Sequence, residues 1–198
     1  MLLTDPAEPG GWRSYHRRVF SILVVCTGNL CRSPIAAQLL SARLDTAKFE
    51  AVSAGTRAVV GGLMPEEAVE ESKRYGGDPT GHLGVQLNRQ MAAAADLVLT
   101  AEVAHRASVL ELFPAAVGRI FTLRQFARLA AQLSTAELGM LSPSAVVTAV
   151  AAQRGTRARL SDDDIADPYL GTAARYEAAG RALDAAVSGV VRAFTARE

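Results

Sequence analysis

The chain reads as an α/β protein in which a parallel sheet is covered by helices on both faces. Three observations predict this. Apolar, β-branched runs at Ser21–Val25, Phe49–Ser53, Asp96–Thr100 and Arg119–Phe121 alternate with helical patterns. The first of them, starting at Val19, is an apolar run, as strands buried on both faces are. The length of 198 residues and a 49% hydrophobic content fit one domain with a sizeable core.

The elements follow in order. Met1–Gly11 carries two prolines, two glycines and two acids and reads as a loose arm, with Trp12 as its anchor. Residues 1–18 are therefore expected to form a flexible arm, and residues 19–198 a single domain. After the first strand, helical patterns span Pro34–Leu44, Pro65–Tyr75, Ala101–Leu112, Leu123–Leu133 and Thr172–Phe194. A short extra strand is expected near Gly84–Leu87. Phe126, Leu129, Ala130 and Leu133 form a helical apolar stripe, and Ala145–Arg154 continues as a second helix. Together they predict a helical segment around 124–163 packed on the sheet.

Composition excludes several classes. A net charge of +1 gives nothing to attract nucleic acid. The longest apolar run is too short to span a membrane. Arg17-Arg18 before an apolar stretch ending at Cys26 fails as a lipoprotein signal, because valines precede the cysteine. A cytoplasmic protein is expected. Two cysteines five positions apart make no disulfide framework, and His16, His82 and His105 are too scattered for a zinc site. Each histidine reads as a surface or core residue.

The most informative stretch is Cys26-Thr27-Gly28-Asn29-Leu30-Cys31-Arg32-Ser33, followed by Pro34. It joins a strand end to a helix start. Backbone N–H groups of such a turn point inward and favour an anion. The same field, with Arg32 nearby, favours the thiolate of Cys26, which makes it a candidate nucleophile. Arg32 can bind two oxygens of a phosphoryl group at once. Ligands in open parallel sheets bind beyond the carboxyl ends of strands, and Cys26 sits at such an end. Asn29 suits a left-handed backbone and Gly28 a close approach, while Thr27 and Leu30 lend N–H groups and line the mouth. Ser33 reads either as a donor to the Cys26 sulfur or as a helix cap ahead of Pro34.

Cys, five residues, Arg and Ser is the phosphate-binding loop of cysteine-based phosphatases. The fuller string Val-Cys-Thr-Gly-Asn-Leu-Cys-Arg-Ser-Pro resembles the low-molecular-weight protein tyrosine phosphatases, as do Asp167-Pro168-Tyr169 and Ser53-Ala54-Gly55-Thr56. The resemblance covers roughly residues 21–118 and 164–194. It implies a flavodoxin-like three-layer sandwich with a four-stranded parallel sheet. It implies hydrolysis of phosphotyrosine-type monoesters through a phosphocysteine intermediate, with Asp167 as general acid and Tyr169 as an aromatic wall. Cys31 would trap an oxidised Cys26 reversibly. No metal or organic cofactor is implied.

The implied partner is a tyrosine-phosphorylated protein, a bacterial tyrosine kinase among the candidates, with the enzyme a monomer or weak dimer. Two features depart from the pattern. Val59 and Val60 stand where many members place an aromatic residue, and Leu170 replaces a second aromatic. Relatives also connect the last strand to Asp-Pro-Tyr more briefly. Asp162-Asp163-Asp164 competes with Asp167 for the acid role but reads as a solvated turn. Thiol-dependent arsenate reduction, arginine dephosphorylation and a catalytically silent phosphoprotein-binding module are the rival readings. Leu30 favours an aryl substrate, since the arginine-phosphatase branch carries Thr there.

Overall fold

A computed structural model describes residues 19–155 and 163–196. The N-terminal arm, with Trp12 and His16, lies outside the described residues, as does Asp162. Strand β1 (Phe20–Cys26) leads through the loop into helix α1 (Arg32–Arg43), then β2 (Phe49–Gly55), α2 (Glu66–Arg74) and α3 (Arg89–Ala94). Strand β3 (Leu97–Thr100) precedes α4 (Val103–Leu112) and β4 (Ile120–Thr122). Helices α5 (Leu123–Ala130), α6 (Thr135–Gly139), α7 (Pro143–Ala152) and α8 (Ala173–Thr195) follow.

All strands pair in parallel, in the order β2-β1-β3-β4. With helices on both faces this is the flavodoxin-like arrangement. Side chains alternate along each strand, so one sheet feeds two cores. Ile22, Val24, Leu97, Leu99 and Phe121 face α1, α5 and α8. Leu23, Val25, Val98 and Ile120 face the other way, toward residues of α3 and α4. Each of these large side chains contributes about 1.5–3 kcal/mol by leaving water. At the far end of the sheet Phe20, Phe49 and Phe126 surround Phe194, with ring centroids 5.4–5.9 Å away, and pin the end of α8.

The chain reverses direction across the sheet at β1: β2 lies on one side, β3 on the other. The carboxyl ends of β1 and β3 flank this switch point, the place where open parallel sheets bind ligands.

Several expectations change. The stretch Gly84–Leu87 is not a strand; it makes one isolated bridge, Gly55 to Gln86. Helix α3 was not foreseen, because six residues show no period and only Asn88, whose side chain accepts from Met91 N, marks the start. Between α5 and α7 the structure adds α6, started by a Ser134–Glu137 capping box. Arg154 fastens the end of this segment to the sheet edge. Its guanidinium lies 3.9 Å from the Phe121 ring centroid and donates to the carbonyls of Val117 and Ile120.

Candidate active site

The loop between β1 and α1 is held from three sides. From β2, Gly55 approaches so closely that an added Cβ would lie 2.5 Å from Thr27 O, which leaves room only for glycine. From the stretch after β2, Thr56 N donates to Cys26 O, Arg57 N to Thr27 O and Val59 N to Gly28 O, at 2.9–3.1 Å. From inside, Asn29 is fully buried and left-handed, with φ 56°. Its Nδ2 donates to Ser33 Oγ and Ser53 Oγ, both at 2.9 Å, and its Oδ1 accepts Val85 N at 2.8 Å. Its carbonyl meets His82 Nε2 at 2.8 Å.

This frame sets the surroundings of Cys26. Its Sγ receives Asn29 N–H at 3.3 Å and lies 3.0 Å from Ser33 Oγ. Asn29 Nδ2 donates to Ser33 Oγ, which also lies 3.4 Å from the Ala54 carbonyl and so can share its proton between that oxygen and the sulfur. Ser33 lies inside α1 and does not cap it. Cys31 is the N-cap residue and makes no side-chain cap, so the first N–H groups of α1 face the loop. Leu30 is nearly buried rather than open at the mouth, with Cδ2 near Gly62. Val59 and Tyr169 are about half exposed at 50% and 46%.

Arg32 is 1% exposed and carries an opposing charge on each arm. Nη1 meets Glu102 Oε1 and donates to Ile165 O at 2.9 Å. Nη2 lies 2.7 Å from Asp167 Oδ2. Asp167 is thereby held against Arg32, six positions after Cys26 in the same loop, although Asp167 and Cys26 stand 141 positions apart (167 minus 26). Cys31 is buried, and its thiol is pushed up to about 12 by that burial, and then by the nearby charges of Asp167 and Cys26. Its Tyr176 neighbour is likewise pushed up to about 12, chiefly by desolvation. Both cysteines are free thiols.

The sequence missed three contributors. Glu102, His105 and His82 touch the loop or Arg32, though two of them had been read only as ordinary histidines. The available signal was position. Glu102 and His105 open α4 directly beyond β3, the strand beside β1.

The acidic run is also corrected. Asp163 is buried and accepts from Arg128 through both oxygens, Nη2 lying at 2.9 and 3.1 Å. Asp164 Oδ1 accepts Val103 N at 2.7 Å, at the N-terminus of α4. Asp163 is a buried fastening rather than part of a solvated turn, whereas Asp164 is exposed and caps the start of α4. Beyond them Leu170 adopts φ 58°, a strained value for a branched side chain.

A family model described as low molecular weight phosphotyrosine protein phosphatase matches residues 21–143. The chain is 39% identical over 106 residues to the low molecular weight protein-tyrosine-phosphatase Etp of Escherichia coli K12, covering 54% of this chain and 70% of Etp. It is 36% identical over 100 residues to Wzb of the same strain, covering 50% and 67%. Among solved structures, the tyrosine phosphatase AmsI of Erwinia amylovora superposes with a TM-score of 0.68 at 28% identity, covering 91% of this chain and 97% of AmsI. The YwlE arginine phosphatase of Geobacillus stearothermophilus superposes with a TM-score of 0.64 at 31% identity, covering 87% and 90%.

Proposed function

Because the chain belongs to the low molecular weight phosphotyrosine protein phosphatase family, we propose that Cys26, Arg32 and Asp167 hydrolyse protein-borne phosphotyrosine through a phosphocysteine intermediate. The observation that carries this reading is the sulfur of Cys26, which receives Asn29 N–H and faces Ser33 in the loop that leads to the buried guanidinium of Arg32.

The steps follow from those groups. Cys26 Sγ, as thiolate, attacks phosphorus, and the bond to the phenolic oxygen breaks. Asp167 gives its proton to that oxygen, since an unprotonated phenolate leaves poorly. Arg32 and the loop N–H groups hold the three equatorial oxygens, whose charge grows in the transition state. A water then attacks the S-phosphoryl group while the Asp167 carboxylate takes its proton. Phosphate is released, and the thiolate departs into the hydrogen bonds of Ser33 and Asn29. The 2.7 Å Arg32–Asp167 ion pair is one that incoming phosphoryl oxygens displace, which frees the Asp167 carboxyl to act on the leaving oxygen.

Leu30, where the arginine-phosphatase branch carries Thr, and the half-exposed Tyr169 favour an aryl group over a guanidine. The aliphatic Val59 and Val60 make a wider entrance than an aromatic wall would. The natural partner is read as a tyrosine-phosphorylated protein, a bacterial tyrosine kinase being one, and the setting as cytoplasmic. Among the described residues no helix is long and apolar enough to cross a membrane. Cys31 is assigned the trapping of oxidised Cys26. Its burial pushes the thiol up to about 12, which lowers its thiolate fraction and slows that reaction.

The test is hydrolysis of an aryl phosphate and of phosphoarginine, without metal, by wild type, Cys26→Ser and Asp167→Asn. Aryl turnover abolished in Cys26→Ser and crippled in Asp167→Asn is expected. Preference for phosphoarginine, or arsenate reduction with a thiol in place of hydrolysis, would overturn the reading.

A further inference from the structure

The ring of His105 is 4% exposed and joins the loop to the acid that holds Arg32. Its Nδ1 accepts the backbone N–H of Glu102 at 3.1 Å. A nitrogen that accepts carries no proton, so the ring proton sits on Nε2. Nε2 lies 2.8 Å from Thr27 Oγ1 and donates to it. Thr27 is the residue directly after Cys26. In return, the Glu102 side chain accepts the backbone N–H of His105, closing a capping box at the start of α4. The same carboxylate meets Arg32 Nη1. One imidazole therefore spans from the nucleophile's neighbour to the partner of the phosphate-binding arginine.

We propose that His105 is a positioning residue for the phosphatase reaction, holding Thr27 and Glu102 in register as a neutral ring protonated on Nε2. The proposal rests on the phosphatase reading for its substrate, but its geometry does not. Thr27 fixes where the loop leaves Cys26. Glu102 fixes the rotation of the Arg32 fork. A ring between them transmits a shift in either to the other.

A second proton would go to Nδ1 and confront the Glu102 N–H, opening the capping box. The charged groups around the ring are Glu102, Arg32, Asp167 and Asp164. Burial, the largest influence, favours the neutral ring, as does Arg32, whereas the three carboxylates favour the charged one. The neutral ring is thus the form at neutral pH, and acid would remove it.

Three variants separate the roles. His105→Phe keeps volume and loses both bonds. His105→Gln returns an N–H near the Nε2 position. Thr27→Val removes the hydroxyl partner at nearly constant shape. Each is assayed for kcat and KM on an aryl phosphate from pH 5 to 8, for thermal midpoint, and for alkylation of Cys26 by iodoacetate. Iodoacetate is an anion that enters the cradle without phosphoryl chemistry.

The expected result is a fall in kcat of roughly 10-fold or more in His105→Phe, the scale of a small misplacement of reacting groups. His105→Gln recovers most of it, and the acid limb of its profile loses the ionisation that wild type shows. Thr27→Val falls less, and adds nothing when combined with His105→Phe. Alkylation follows the same order. Wild-type kcat and alkylation in His105→Phe or in Thr27→Val, or additive losses in the double variant, overturn the proposal. If His105→Phe does not fold, Thr27→Val and His105→Gln decide alone. A wild type inert on aryl phosphates yet alkylated in a His105-dependent way would sink the phosphatase reading and leave the positioning role standing.

Discussion

Asn29 offers the sharpest test of how the loop is held. Its side-chain amide makes three hydrogen bonds, to Ser33, Ser53 and Val85 N, and its backbone stands at φ 56°. Asn29→Ala removes all three. A buried hydrogen bond contributes about 1 kcal/mol net, so the amide loss comes to about 3 kcal/mol. The left-handed backbone costs alanine roughly 1–2 kcal/mol. Glycine escapes that penalty but surrenders about 0.5–1 kcal/mol of chain entropy. Asn29→Gly should therefore lose about 3.5–4 kcal/mol, and Asn29→Ala about 4–5 kcal/mol.

For a chain of this size each kcal/mol lowers the thermal midpoint by about 2–4 °C. The assay is urea unfolding of both variants with the slope held constant, alongside kcat on an aryl phosphate. Both variants should also lose turnover, because Ser33 and the Asn29 N–H face the sulfur. A glycine variant as stable as wild type would refute the claim that the amide holds the loop. An alanine variant more stable than the glycine one would refute the backbone argument.

Other expectations are simpler. Arg32→Lys should leave the fold measurable by circular dichroism yet lower kcat by at least about 100-fold, since one ammonium cannot face Glu102, Ile165 O and Asp167 as a planar fork does. Leu170→Gly should raise the unfolding free energy by about 0.5–1 kcal/mol, because Leu170 is 85% exposed and left-handed, and strain relief of about 1–2 kcal/mol exceeds the entropy that glycine surrenders. Arg128→Leu strands buried Asp163 and should cost about 3 kcal/mol, read as a lower urea midpoint. Cys31→Ser should retain turnover but lose recovery by dithiothreitol after peroxide treatment, measured as regained activity.

The parts of the site that could be read from the sequence are those written contiguously. Cys26 to Ser33 lies in one loop, and Asp167-Pro168-Tyr169 lies in another, so local spacing was enough to expose them. Strand and helix alternation similarly predicted the layers, because the apolar runs are long and well separated. Glu102, His82 and His105 were not legible as site residues, since each acts through contacts at least 53 positions away in the chain. Asp163 was misread for a related reason. Three consecutive acids suggest a hydrated turn until Arg128 and the start of α4 are seen against them. Leu30 was placed at the mouth, whereas it is nearly buried, its Cδ2 close to Gly62 in the stretch after β2. Helix α6 escaped because five residues offer too little period to detect.

The stretch from Asp163 to Ile165 is tied down at successive residues. Arg128 holds Asp163, Val103 N–H holds the Asp164 carboxylate, and Ile165 both donates to Ala101 O and accepts from Arg32. These knots lie only two to four residues before Asp167. They isolate its position from whatever precedes them, much as a bridge pier isolates one span from the next. The anchorage of Asp167 is therefore local, built from bonds of its immediate predecessors, and the carboxylate stays beside Arg32 as long as Arg128, Val103 and Arg32 keep them.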